Sequence, residues 1–177
     1  MRAAVIREYG TLLVEQVPEP DLPPYAARCE ILYGSTCTGT DSHIIAGNFP
    51  WLAPLPTVLG HESVGRVVET GERVRNYRVG DLVTRVGTPA IAQAGISVNW
   101  GGFAEVGLAW DHWAMCADGL PEAEWRGHRV NQVIPPAVDP RDGPMFTTWR
   151  ETLSYALRAG VGEGATVLVV GSGGNGL

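Results

Sequence analysis

Apolar and polar positions alternate in short runs over the first two thirds of the chain. Residues 2–8 (RAAVIRE), 11–17 (TLLVEQV), 29–35 (CEILYGS), 63–70 (SVGRVVET), 81–86 (DLVTRV) and 102–110 (GFAEVGLAW) are rich in Val and Ile. Period-two alternation of this kind predicts half-buried strands. Gly and Pro punctuate them at 18–24 (PEPDLPP), 53–56 (APLP) and 79–81 (VGD), where turns are expected. Many short strands with such turns predict a mainly β, barrel-like domain.

The pattern changes after residue 110. Residues 111–130 are rich in Trp, mixed in charge and weakly periodic, and read as an insertion, a lid or subunit contact built on Trp110, Trp113 and Trp125. Phe146, Trp149, Leu153 and Leu157 then recur at helical spacing, which predicts a linking helix over 142–159 with Asp142 as its cap and Gly160 and Gly162 at its end. The continuous apolar run 166–170 (TVLVV) predicts a strand buried on both faces, as in a parallel sheet. Gly171, Gly173 and Gly176 follow it in GxGxxG spacing, with Gly174 between them. Glycines there allow the tight turn and close backbone approach that a dinucleotide pyrophosphate needs. The domain boundaries are therefore 1–160 and 161–177, the second stretch being the truncated start of an α/β dinucleotide-binding domain.

Composition narrows the function classes. In 177 residues, 45% hydrophobic and 18% charged, no apolar run reaches the length of a membrane helix. A soluble, cytoplasmic protein with no membrane partner is expected. The net charge of −6 and the lack of a basic stripe argue against a nucleic-acid partner. All thirteen basic residues are Arg, so Schiff-base and lysine-base chemistry is excluded. Cys29, Cys37 and Cys116 form no CxxC pair and no disulfide framework.

Three motifs together resemble the medium-chain dehydrogenase/reductase superfamily, in its zinc-containing alcohol dehydrogenase branch. They are TGTDSHIIAGN (38–48), LPTVLGHESVGRVVETGERVRNYRVGDLV (55–83) and RAGVGEGATVLVVGSGGNGL (158–177). The resemblance implies a GroES-like catalytic domain, then a linking helix, then the first strand and glycine-rich turn of a Rossmann domain. It also implies NAD or NADP as cofactor, a small alcohol or carbonyl substrate, and a homo-oligomer built through the missing Rossmann part. The complete protein would be about twice this length, and this chain alone would be inactive.

In that family a catalytic zinc takes the Cys of the first motif, the His of Gly-His-Glu, and a Cys or Glu near the linking helix. His61 matches the histidine and Glu62 follows it as in the family. Matching Thr40, Asp41 and His43 to the family's Thr-Asp-x-His puts Thr38 at the cysteine position. Cys37 falls one residue early, and an extended chain would turn it to the opposite face. The third position falls near Phe146 or Thr147, with Glu151 one helical turn further on. His61 is then the only ligand-type residue retained, and the zinc site is expected to be degraded. Asp41 would orient His61, while Thr40 and His43 match the two ends of the family's proton relay.

The same residues admit structural roles. Cys37 could be a core residue, His61 could hold the start of a strand through Asp41, and Thr40 and Asp41 could cap a turn. His112, Cys116 and His128 offer a second possible metal group. The leading expectation is an NAD(P)-dependent alcohol or polyol dehydrogenase. A zinc-free reductase of enones or quinones and a non-catalytic GroES-like binding protein are the alternatives.

Overall fold

Eight strands form among the described residues, six of them in the alternating segments. β1 (Arg2–Glu8) and β2 (Thr11–Gln16) form an antiparallel hairpin about Gly10, whose φ of +87° suits a residue without Cβ. β3 (Ala26–Ser35) runs directly into α1 (Thr38–Ile45). β4 (Thr57–Val58), β5 (Glu62–Thr70), β6 (Leu82–Thr84), β7 (Ser97–Val98) and β8 (Val106–Trp110) follow. The computed structural model describes residues 1–171 and 173. In it the strands make two four-stranded sheets, ordered β2-β1-β4-β7 and β6-β5-β3-β8. Isolated bridges such as Ala3–Ala104 and Gly87–Leu108 stitch the loops between them.

Three apolar clusters hold these sheets. Ala27, Cys29, Val67, Tyr77, Val83, Val86 and Ala109 fill the inner face of the second sheet. Ala3, Val5, Val17, Val58, Ile91 and Ile96 do so for the first. The third cluster joins Ile6, Ile44 and Leu59, with Phe49 and Phe103 packed on them, and so ties α1 to the chain entering β5. Full burial of a side chain such as Ile44 or Leu59 is worth about 2 kcal/mol.

Residues 111–130, expected as an insertion, fold into α2 (His112–Ala117), α3 (Glu122–Trp125) and a 3-10 turn over Arg126–Val130. Asp111 anchors the segment. Its fully buried carboxylate accepts from the N–H of Arg75 (2.7 Å), Asn76 (2.8 Å) and Ala114 (3.0 Å), and from the Asn76 amide (2.9 Å). One residue thus caps α2 and pins it to the loop after β5.

The linking helix is α4 (Met145–Arg158). Its expected cap, Asp142, lies instead in a 3-10 turn over Pro140–Asp142 that Asp139 caps through the Arg141 N–H. The two prolines give the chain a separate turn before the helix begins. The expected strand over 166–170 is not formed: Leu168 and Val170 are 88% and 91% exposed, and no strand lies alongside them among the described residues. A strand exists only through a ladder to a neighbour, and none is present here to supply one. Gly171 has a φ of +116°, as a glycine turn requires, while Gly174 and Gly176 lie outside the described residues.

Asp111→Ala should lower unfolding stability by about 3 kcal/mol, because it leaves buried donors unpaired. Burial alone pushes the Asp111 pKa up, but the four donors overcome this and hold it below the ordinary carboxylate value. Its stabilisation is therefore complete above the unfolded-state pKa and is lost as pH falls through the folded one. Urea titrations across the acid range should show a smaller acid-side loss for Asp111→Asn than for the wild-type chain.

A candidate active site at the start of β5

Register brings the site together. β3 and β5 are antiparallel, and their last pair is Ser35 with Glu62. Two residues beyond Ser35 stands Cys37, and one residue before Glu62 stands His61. Each strand leaves one residue unpaired, Val68 on β5 and Leu32 on β3, and the two irregularities cancel before the pairing reaches Glu62.

Cys37 is the N-cap of α1, with an extended backbone. Its N–H donates to the Asp41 carboxylate (2.9 Å), and the Asp41 N–H donates back to the Cys37 carbonyl (2.8 Å). That reciprocal pair fixes the entry to the helix and the direction of the Cys37 side chain. The thiol donates to the Thr40 hydroxyl at 3.4 Å. Ligand atoms of Cys37, His61 and Glu62 all lie within 4.8 Å of one another. The expectation that Cys37 faces away assumed an extended chain, and helix entry at this residue turns it inward instead. Thr38, expected at the ligand position, is exposed in the first turn of α1.

Asp41 and Ile44 are the buried residues of α1, three apart and on one face. Ile44 packs against Leu59, and Asp41 faces His61, with Asp41 Oδ1 3.7 Å from His61 Nδ1. Both of these atoms are buried and neither has a hydrogen-bond partner. Burial pushes the Asp41 pKa up, against the opposing pull of the Cys37 N–H and of His61. Burial likewise pushes the His61 pKa down, which favours the neutral imidazole, although Asp41 and Glu62 work the other way. Thr40 is half-buried at the site, and His43 is exposed one turn further along α1.

Glu62 is also buried, and the Thr148 hydroxyl of α4 donates to its carboxylate. Thr147, the neighbour of Thr148, is with Phe146 where the resemblance places a third zinc ligand. Glu151 does not join the group. It is half-exposed and turned toward Arg85 at 4.0 Å. Arg85 itself is largely buried, its guanidinium 5.8 Å from the Trp100 ring centroid, and that ring is 5.0 Å from His61. Arg85 and Trp100 are the non-glycine residues with positive φ among those described, at +54° and +69°. Backbone strain of this kind gathers at functional sites. Sequence reasoning missed Arg85, Trp100 and Thr148. A signal for Thr148 was present in the Thr-Thr pair at the third-ligand position, but nothing local marked the other two.

Among the described residues, Cys37, His61 and Glu62 are the one group of three metal-type ligands. The other possible group does not assemble: His128 stacks on Trp110 at 4.8 Å, while His112 sits against Trp113. Cys116 is exposed, and all three cysteines are free. No helix is long and apolar enough to cross a membrane among the described residues.

The sequence profile of the alcohol dehydrogenase GroES-like domain matches residues 28–119. A probable zinc-binding alcohol dehydrogenase of Mycobacterium tuberculosis is 42% identical over 84 residues, 47% of this chain and 21% of that protein. Alcohol dehydrogenase 1 of Emericella nidulans is 30% identical, covering 93% of this chain and 47% of its own length. Galactitol-1-phosphate dehydrogenase from Escherichia coli superposes with a TM-score of 0.75 at 20% identity, over 99% of this chain and 50% of that one. The chain belongs to the alcohol dehydrogenase GroES-like family, in the zinc-type alcohol dehydrogenase branch of the medium-chain dehydrogenase/reductase superfamily. It spans about half the length of the relatives it matches from end to end.

Gly60 sets the angle at which His61 enters the site. It has a φ of +103°, and an added Cβ would lie 2.5 Å from the Phe103 nitrogen. Backbone bonds from Phe103 to Leu59 and from Gly102 to Gly60 zip the two segments together here. Gly60→Ala should cost about 3 kcal/mol or more in unfolding stability, read by urea denaturation. Gly10→Ala, whose Cβ would meet open space, should cost only the smaller left-handed backbone penalty.

Proposed function

We propose that this chain is the catalytic part of a cytoplasmic, oligomeric NAD(P)-dependent oxidoreductase that interconverts an alcohol or polyol and its carbonyl. The observation that carries the reading is the convergence of Cys37, His61 and Glu62 on one point. A thiol, an imidazole and a carboxylate form a donor set suited to zinc in a catalytic site, where three protein ligands leave a position open. The unpaired His61 Nδ1 and Asp41 Oδ1 support the same fit. A metal-bound histidine commonly turns its other nitrogen to a carboxylate, which would leave Nε2 for the metal. This reading offers an alternative to the degraded site expected from the sequence, with Cys37 and Glu62 in place of Thr38 and of the third position near Phe146 or Thr147.

Zinc, when bound, would supply Lewis-acid polarisation of the substrate oxygen, and NAD(P) would supply the hydride acceptor or donor. The chain's own residues do the rest. Cys37, His61 and Glu62 would hold the metal, and Asp41 would orient His61. Thr148 orients the Glu62 carboxylate by donating to it. Thr40, already beside the Cys37 thiol, would present its hydroxyl to the substrate oxygen and, as the alcohol becomes a carbonyl, accept its proton while passing its own on toward solvent by way of His43. His43 lies in solvent on the same helix and exchanges that proton with water. Gly171, Gly173, Gly174 and Gly176 would receive the cofactor pyrophosphate, a role argued from their spacing.

Elemental analysis of the full-length protein should find one zinc per chain, lost in Cys37→Ser and His61→Ala. Asp41→Asn should keep the fold and weaken zinc by 10- to 100-fold, as measured by competition with a chelator. Oxidation of alcohols and polyols should follow zinc content and fall with Thr40→Val. A metal-free protein that reduces enones or quinones, and ignores alcohols with either cofactor, would replace this reading by the zinc-free one.

A further inference from the structure

A cavity of about 690 Å³, lined by none of Cys37, His61 and Glu62, lies between the 111–130 segment and α4. Its wall carries Arg126, Arg129 and Arg150, together with His112, Trp113 and Trp125, and no Asp or Glu. That is an unusual wall in a chain of net charge −6. Arg126 and Arg129 sit three apart on a 3-10 turn, where side chains at that spacing eclipse on one face. Arg150 joins them from α4. Arg126 has a loose surface contact with Glu122 at 3.9 Å, whereas Arg129 and Arg150 take part in no ion pair among the described residues. Like charges gathered around one cavity repel each other unless an anion sits among them.

The neutral part of the wall is equally specific. His112 is 6% exposed, and its Nδ1 is buried without a hydrogen-bond partner. Trp125 is held in place by its indole N–H, which donates to the Leu120 carbonyl at 3.1 Å. Trp113 remains 40% exposed, with ring surface open to a planar group. Guanidinium forks match phosphate oxygens in geometry and charge, and flat rings stack on indoles.

We propose that this cavity binds a phosphate-bearing ligand with a planar ring system, held by Arg126, Arg129 and Arg150 at the phosphate and by Trp113 and Trp125 at the ring. The cavity shares no lining residue with the Cys37–His61–Glu62 group, and the proposal does not depend on the chemistry assigned there.

The test uses the full-length protein titrated calorimetrically with phenyl phosphate, inorganic phosphate and phenol. Phenyl phosphate should bind one-to-one, more tightly than inorganic phosphate, and more weakly as salt is raised. Arg129→Gln/Arg150→Gln should weaken it by tenfold or more while leaving the melting temperature unchanged, since both side chains are exposed. Trp113→Phe should reduce the change in tryptophan fluorescence on binding. Equal affinity in the wild type and the double variant would place the anion elsewhere. Absence of saturable binding would mean that the rest of the chain fills the cavity. Either result overturns the proposal.

Discussion

The antiparallel pairing of β3 with β5 is the constraint on which the site depends. Cys37 and His61 are separated by an excursion that includes α1 and β4, and their sequence neighbours orient each of them without bringing the two together. They meet because Ser35 pairs with Glu62. A slip of one residue would move every side chain of β5 to the opposite face, Glu62 included. The cancelling irregularities at Leu32 and Val68 show how finely the pairing is kept. The strands absorb local twist without changing register at the end that matters.

Packing fixes what pairing brings near. Ile44 and Leu59 share a cluster, so α1 cannot rotate without breaking the contact that holds the approach to His61. Gly60, Gly102 and Phe103 close the other side, where backbone approaches too closely to leave room for a Cβ. The result is a group of ionisable side chains held in a partly dry setting, where burial works against charge on both Asp41 and His61. A cation placed among them would favour the thiolate and the carboxylate against burial, and the neutral imidazole along with it.

Several surfaces are less complete than the core. Leu153 and Leu157 on α4, and Val167 to Val170 beyond it, expose apolar area that a sheet or helix could cover. The helical spacing of Phe146, Trp149, Leu153 and Leu157 correctly announced a helix, but the residues of that helix buried here are Thr147 and Thr148. Amphipathic period tells which face is apolar and not which partner will cover it. The glycine spacing after residue 170 has the same status: it names a turn, while the strand before it needs neighbours in order to exist.

Much of the fold was legible in the chain because alternation and turn residues are local signals. The longer strands of both sheets, the linking helix and the break at residue 111 follow from them, whereas the two-residue strands β4 and β7 do not, and Gly-His-Glu with Thr-Asp-x-His pointed to the candidate site. Local signals could not give the direction of Cys37, since this depends on whether residue 37 continues a strand or caps a helix. Nor could they reveal Arg85, Trp100 and Thr148, which reach Glu62 and His61 from three distant segments. The sequence by itself determined where most of the strands and the linking helix form and which residues are candidates for the site, because both are written in side-chain type and spacing. Only the tertiary structure decided which of those residues face one another, because register and close backbone packing act between segments far apart in the chain.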